Sequence, residues 1–426
     1  MRPAAAQESS VIAGLPGTRF LLALSGLAAA AAYFLFFHFA GTDDVAGFWI
    51  RWADSVLKYG LREGYRQAFT DYPPGLFILF KLAYATLAPM PQLFLVKGTI
   101  AWSVVAGMLV FGSWSRSLGW SVALAFALLL SSVILGYLDV LYLAPLLGSL
   151  WALQVRRVAL ASFWFTVAVA LKWQPLIIAP FFFAHALGFS VEKAKSYRAW
   201  AAALGHIVAG AAGPVALCLL LVEPAMLWRS FSLATSHPAL SLQGLNANWL
   251  IQLYLYAQQG GKNVHEITVS TDLLGMMRVF FYLCYGLVFA IFILRRRSFA
   301  EFVWFSCVGF LIYFLLNTGV HENHWFVPMV LAFVLVCDRS PHGQALACFL
   351  AVTANLNLLV FYGVEGGMLL KGSNMLFASG VLASINTFFG IWCLTGVIRF
   401  ARSDWRLALA GLQGATVSAQ DSAASS

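Results

Sequence analysis

Two adjacent carboxylates, Asp43 and Asp44, directly follow the first long apolar run of a chain that otherwise avoids charge. An ionised carboxylate at a membrane boundary can act as a general base toward a hydroxyl group. The alternative role is structural, with both residues capping the helix that follows them. The same stretch ends in Tyr72-Pro73-Pro74, whose prolines stiffen the backbone into an extended turn. Residues 41–75 are therefore the first candidate for a catalytic loop.

Two further polar motifs lie at the ends of apolar runs. Asp139 stands between Tyr137 and Tyr142, and is either a site carboxylate or the cap of the next helix. Lys172 with Gln174 joins two apolar runs through a tight turn. The lysine either contacts a phosphate or extends its ammonium group toward the interface. For both motifs, a functional role and a structural role remain open.

The run His321-Glu322-Asn323-His324 is the richest polar motif after the first loop. Its histidines are three residues apart, so it does not match His-Glu-x-x-His, in which a helix presents two zinc ligands four residues apart. The pair is suited to a phosphate or to a metal ion, but no Cys or further His is placed beside it. We predict no bound metal, and we expect His321, His324 and Glu322 to belong to the site.

The predicted long loop 223–273 contributes further candidates. It contains an amide-rich stretch with Asn246 and Trp249, a composition suited to hydrogen-bonding and stacking on a sugar. The alternative is an ordinary outer loop. Arg229 in the same loop is a candidate cation for a phosphate group.

Composition sets the class of protein. The chain has 426 residues, of which 61% are hydrophobic and 10% charged, whereas a soluble domain carries about 25% charged residues. Apolar runs of membrane-spanning length recur throughout, which predicts an all-α polytopic membrane protein. The net charge of +9 comes from cations scattered between apolar runs and does not indicate nucleic-acid binding. The six cysteines lie in or beside apolar runs and predict no disulfide framework.

The apolar runs predict about twelve transmembrane helices, near residues 20–40, 95–113, 120–136, 140–154, 158–171, 175–190, 200–222, 274–294, 299–317, 325–338, 344–362 and 377–398. The short run 76–88 contains Lys81 and ends at prolines, so we expect a re-entrant helix there. With that assignment the Lys and Arg clusters fall on one side, which the positive-inside rule makes cytoplasmic, together with both termini. We predict one transmembrane domain over 1–410 and a disordered cytoplasmic tail over 411–426.

The same topology places the polar motifs together on the outer face, although they were not used to build it. Charge at membrane depth is costly and usually functional, so the pattern predicts one outward-facing site. Within 45–62, Phe48, Trp52, Val56 and Tyr59 recur at helical spacing opposite a charged face. This predicts an amphipathic helix in the outer interface.

The order of the motifs resembles the integral-membrane GT-C glycosyltransferases that use polyprenyl-phosphate sugars, in particular the branch of the GPI-anchor mannosyltransferases and the dolichol-pathway glucosyltransferases. The residues that carry this resemblance span about 40–330: Asp44, Trp52, Gly60 and Tyr72-Pro73-Pro74; Gly136, Asp139 and Tyr142; Lys172 and Gln174; Ser241, Asn246 and Trp249; and His321-Glu322. Tyr137 stands where the family has Gln, and Asn323 stands where it has Arg. The spacing to Trp52 and Tyr72 matches Asp44 and not Asp43.

The resemblance implies an inverting hexosyltransferase, of the mannose or glucose type, that uses a polyprenyl-phosphate sugar and needs no other cofactor. Asp44 would be the general base, with Asp43 as a supporting residue. Lys172 and His321 would balance the phosphate charge, assisted by His324, Arg229 and Gln174. The implied partners are the lipid-linked donor, a lipid or glycan acceptor and membrane lipids, in a bacterial inner membrane with the site facing outward.

Three other classes of function remain open from the sequence. A glycan polymerase or ligase would use a polyprenyl-diphosphate donor. A transporter would also place charges in broken helices, although near the bilayer midplane and in inverted repeats. A structural subunit of a glycan-assembly complex would carry the motif residues without using them.

Overall fold

The computed structural model describes residues 41–87, 91–188, 197–260, 263–264, 267–294, 297–337, 341–363 and 372–424, with the backbone alone for residues 87, 341 and 404–424. The first predicted transmembrane run, 20–40, lies outside these ranges. So do residues 425–426 at the end of the predicted tail.

The described chain is 85% helical, with fifteen α-helices. They are α1 (Ile50–Ala68), α2 (Gly75–Leu87), α3 (Gln92–Ser115), α4 (Leu118–Leu128), α5 (Leu143–Gln154), α6 (Val158–Leu171), α7 (Ala179–Leu187), α8 (Tyr197–Leu221), α9 (Pro224–Thr235), α10 (Ala247–Gln259), α11 (Thr271–Ile293), α12 (Phe299–Leu316), α13 (Phe326–Val336), α14 (Pro341–Tyr362) and α15 (Gly372–Ala424). Two short strands, β1 (Ser241–Leu242) and β2 (Val320–His321), pair in parallel.

Six described helices are long and apolar enough to cross a membrane, namely α3, α8, α11, α12, α14 and α15. Shorter apolar helices account for the remaining predicted runs within the described ranges. Large apolar side chains such as Phe377, Phe388 and Trp392 are exposed on α15, as expected for a helix that faces lipid. The chain is thus an all-α, membrane-embedded polytopic protein. The number of about twelve spans stays a prediction.

Three of the shorter apolar helices begin as 3-10 segments, and each segment carries one of the polar motifs. These segments are Leu138–Tyr142 before α5, Gln174–Ile178 before α7 and Glu322–Trp325 before α13. Non-α backbone at membrane depth is tolerated where it is buried in protein or lines a cavity. The irregular segments therefore mark where the motifs meet.

The predicted re-entrant segment forms α2, a helix of 13 residues. At about 1.5 Å per residue it is shorter than the bilayer core of about 30 Å. Gly75 lets its first turn approach α6 closely, because a Cβ there would lie 2.3 Å from the Ala170 carbonyl oxygen. Leu76, Phe77 and Phe80 are buried. The length fits a re-entrant helix, whose path in the bilayer stays a prediction.

The predicted amphipathic helix is present but extends further than expected. A π-helical turn, Val45–Trp49, leads into α1, which continues to Ala68 with a break at Gly60. Of the four residues on its predicted apolar face, Trp52 and Val56 are buried in the core, whereas Phe48 and Tyr59 are exposed. Trp52 packs on the ring of Tyr72. The position of this helix in the outer interface stays a prediction.

Two other expectations differ from the structure. The stretch 223–273, predicted as a long loop, forms α9, β1 and α10. Residues 411–424, predicted as a disordered tail, belong to α15, whose bounds reach Ala424.

Candidate functional site

The 3-10 segments bring Asp139 and Lys172 into a buried ion pair. Lys172 Nζ lies 2.8 Å from Asp139 Oδ1, and the two side chains are only 11% and 2% exposed. The other carboxylate oxygen, Oδ2, accepts a hydrogen bond of 3.0 Å from Asn323 Nδ2. Tyr142 OH donates to Gln174 Oε1 at 2.7 Å. Three motifs that are distant in sequence therefore form one network.

Glu322 is held by a different partner. Tyr137 OH donates to Glu322 Oε1 at 2.5 Å, and both residues are buried. A small cavity of about 20 Å³ lies between Asp139, Glu322 and Asn323, large enough for one water molecule. Tyr137 and Asn323, the two departures from the resembled motifs, thus each bind a carboxylate of the site.

The loop before Asp44 is attached to the turn before Asp139. Thr42 N–H donates to the Leu135 carbonyl oxygen at 3.0 Å. Gly41 has φ +89°, and a Cβ there would lie 2.6 Å from that same oxygen, so no larger residue fits. From the other side, Lys97 Nζ, buried in α3, donates to the carbonyls of residues 133 and 134 at 3.2 and 3.1 Å. These contacts fix the two acidic segments relative to each other.

Asp44 is the less exposed of the two adjacent carboxylates. Among the described residues its carboxylate forms no hydrogen bond or ion pair, and Lys172 is near enough to act on it electrostatically. Burial raises the pKa of Asp44 above its usual 3.8, and the positive charge of Lys172 partly opposes this rise. A partly buried carboxylate without a fixed partner is suited to accept a proton. Asp43 is exposed.

Tyr72 connects the first loop to Lys172. Lys172 Nζ lies 5.0 Å from the centre of the Tyr72 ring, a cation–π distance. The Tyr72 carbonyl oxygen accepts hydrogen bonds from Tyr65 OH at 2.9 Å and from Ser230 Oγ at 2.8 Å. Trp52 packs on the Tyr72 ring at 5.3 Å. The Tyr-Pro-Pro turn is therefore rigidly held beside the lysine.

His321 and His324 lie together, with ring centres 5.5 Å apart. Strand pairing of Leu242 with His321 fixes the backbone of the first histidine. Burial is the main cause that lowers the pKa of His321 to about 3, and the nearby His237 and Lys172 contribute to the same shift. A low pKa favours the neutral imidazole, which offers a phosphate a hydrogen bond. The role of His321 in balancing a phosphate charge stays a prediction.

A cavity of about 520 Å³ opens beside this network. Its volume is within the usual range for small-molecule sites, about 300–1,000 Å³. Five of the predicted site residues line it: Tyr72, Lys172, Gln174, His321 and His324. Gln174 Nε2 is buried without a hydrogen-bond partner. Asp44, Asp139 and Glu322 are not part of the cavity lining.

Three predicted site residues are placed elsewhere. Arg229 stacks on Phe69 at 4.4 Å and donates to a backbone carbonyl of α1, outside the lining of the cavity. Asn246 caps α10 by accepting from Trp249 N–H at 2.9 Å. Trp249 is fully buried in a hydrophobic cluster. These positions do not fit the predicted contacts with phosphate and sugar, because the side chains are engaged in packing and helix capping.

Sequence reasoning missed four residues that line the cavity, namely Asp71, His237, Arg278 and Tyr313. Arg278 left a signal, since it is the one charge in the apolar run 274–294, and charges inside membrane helices are usually functional. His237 left none. Its ring reaches His321, at 5.2 Å between ring centres, only through tertiary packing.

Within the described ranges, no group of three or more His, Cys, Asp or Glu side chains is arranged to hold a metal ion. No known protein-family profile matches the chain, and no curated protein is significantly similar to it.

Proposed function

We propose that this protein is an inverting glycosyltransferase that moves a hexose, of the mannose or glucose type, from a polyprenyl-phosphate sugar to a lipid-linked or glycan acceptor on the outer face of the membrane. The observation that carries the proposal is the unpartnered Asp44 carboxylate within electrostatic reach of Lys172, beside a cavity of about 520 Å³. In the proposal, Asp44 is the base and Lys172 is the cation that act on the reacting sugar.

In this mechanism Asp44 accepts the proton of the acceptor hydroxyl as its oxygen attacks the anomeric carbon. The bond from that carbon to the phosphate oxygen breaks on the opposite face, and polyprenyl phosphate leaves with the electron pair. The transition state resembles an oxocarbenium ion. General-base help of this kind contributes about 10²–10⁴-fold to the rate.

Charge on the departing phosphate is balanced in the proposal by Lys172, which Asp139 holds in place at 2.8 Å. In the proposal, the unpartnered Gln174 Nε2 and the imidazoles of His321 and His324 supply hydrogen bonds. Such fixed donors stabilise developing charge most strongly where water is excluded. No metal ion or further cofactor is part of the proposed reaction.

The test compares two neighbouring aspartates in the purified protein, reconstituted with a polyprenyl-phosphate hexose and a lipid-linked acceptor. We expect Asp44→Asn to lower kcat by about 10²–10⁴-fold. Asp43→Asn, a matched change at an exposed carboxylate one residue away, keeps a rate close to that of the unmodified protein. Equal rates for the two variants would remove Asp44 from the mechanism.

The donor distinguishes the proposed reaction from its main alternative. A glycan polymerase or ligase would prefer the polyprenyl-diphosphate sugar over the monophosphate in the same assay. The anomeric configuration of the product, measured by NMR, separates inversion from retention. Preference for the diphosphate donor, or retention of configuration, would contradict the proposal.

A further inference from the structure

A second cation, Arg278, lines the cavity. It lies outside the predicted motifs in the sequence. Its Nε donates to Thr318 Oγ1 at 2.8 Å, and its Nη2 donates to the His237 carbonyl oxygen at 3.4 Å. Both acceptors are neutral, and in the part of the chain that the structure describes Arg278 forms no ion pair. A charged side chain in a membrane helix is costly unless it is compensated. Arg278 therefore lacks an anionic partner.

Lys172 differs from Arg278 in this respect, because Asp139 forms an ion pair with it. A guanidinium group has five N–H donors in a planar fork that matches phosphate geometry. Gln174 Nε2, in a side chain only 7% exposed, is a further buried donor without a partner in the same cavity. The remaining N–H donors of Arg278 and the amide nitrogen of Gln174, in one cavity, indicate a ligand with several anionic or polar oxygens.

Apolar side chains of two helices line the same cavity as Arg278. They are Phe231 and Ala234 of α9, and Phe281 and Tyr282 of α11. Tyr282 lines the cavity and is still 65% exposed. Neighbouring apolar residues of α11 are exposed as well, as in a helix that faces lipid. At Tyr282 the cavity lining therefore reaches the exposed apolar surface of α11.

We propose that Arg278 binds the phosphate of a long-chain lipid phosphate, and that its chain reaches the cavity laterally between α9 and α11. A cavity of about 520 Å³ is too small for the whole lipid, so most of the chain stays in the bilayer. The inference rests on the proposed function in one respect only, namely that this lipid is the one that carries the donor sugar. Binding itself requires no sugar transfer.

The first experiment measures the Kd of purified protein for a long-chain polyprenyl phosphate without sugar, by tryptophan fluorescence in detergent micelles. Arg278→Gln raises Kd about 10- to 100-fold, the range for losing a charged hydrogen-bonding partner. Arg278→Lys keeps the positive charge and therefore raises Kd by a smaller factor. Arg51→Gln, the same change at an exposed arginine of α1, leaves Kd unchanged. Equal Kd values for Arg278→Gln and Arg51→Gln would overturn the proposal, as would tighter binding by Arg278→Gln than by Arg278→Lys.

The second experiment tests the source of the phosphate and the route. Inorganic phosphate should not displace the lipid at concentrations near the lipid Kd, and displacement there would assign the site to a soluble anion. Ala234→Phe narrows the opening and should abolish photocrosslinking of a diazirine-bearing polyprenyl phosphate to α11. Ala216→Phe, the same change at an exposed alanine of α8 outside the cavity lining, should not affect crosslinking. Unchanged crosslinking in Ala234→Phe would refute the lateral route.

These outcomes are separable from those of the transfer assay. Lipid binding that depends on Arg278 without any sugar transfer would keep this inference and refute the proposed function. Transfer that depends on Asp44 but is unaffected by Arg278→Gln would do the reverse.

Discussion

The buried pair of Asp139 and Lys172 makes a quantitative prediction about stability. The two groups are 2.8 Å apart and at most 11% exposed. Asp139→Asn preserves the shape of the side chain and its contact with Asn323, but leaves the lysine charge buried without a counter-ion. Removing one partner of a buried pair costs about 3–5 kcal/mol. We expect a cost near 3 kcal/mol, because the amide oxygen still accepts a hydrogen bond.

Lys172→Gln should cost a similar amount, because it leaves the carboxylate unpaired. The double variant contains no charge at either of these two positions. It should therefore lose much less unfolding free energy than the sum of the two single losses. This gives a coupling free energy of about 2–4 kcal/mol. The exposed pair Arg62–Glu223 provides a matched control, since its atoms are 2.7 Å apart but its side chains are 67% and 53% exposed. Its coupling should stay below about 1 kcal/mol.

The assay is reversible denaturation in detergent micelles, followed by the fluorescence of the 15 tryptophans. Both double-mutant cycles are measured under the same conditions. Additive single losses at Asp139 and Lys172, with coupling no larger than that of the exposed pair, would refute the argument that burial makes this ion pair essential.

Three other predictions follow from the structure. A general base must be ionised, and the pKa of Asp44 lies above 3.8, so kcat/KM should fall as the pH decreases through that pKa. Lys172→Met removes the positive charge that lowers the pKa of Asp44, so the acid limb of the pH profile should move to higher pH. Gly41→Ala should destabilise the protein by about 2 kcal/mol or more in thermal denaturation and reduce transfer, since a Cβ there meets Leu135 O at 2.6 Å, whereas Gly47→Ala has free space and should have little effect. Asn357→Ala should cost about 1–3 kcal/mol in the same assay, because it leaves the Leu245 N–H without its 2.9 Å acceptor.

The sequence by itself determined the class of the fold. Apolar runs of membrane-spanning length predict helices, and each run within the described ranges coincides with a helix and any 3-10 or π turn that adjoins it. The polar motifs lie at the ends of these runs, which predicted that the motifs would meet on one face of the protein. Asp139, Lys172 and Gln174 do lie in one network, and Glu322 lines a small cavity beside Asp139. This part was predictable because helical order and alternating direction place the ends of successive runs on the same side.

The tertiary structure decided which residues contact one another. Asp139 pairs with Lys172 and Glu322 with Tyr137, and all four residues lie within or shortly before the three 3-10 segments. Arg278 reaches the cavity, whereas Arg229 stacks on the end of α1. Sequence pattern reports which residues are apolar, but the rotation of each helix depends on packing against distant segments. The sequence therefore shows which chemical groups are present. The fold sets which of these groups pair, how deeply each is buried and how its charge is balanced.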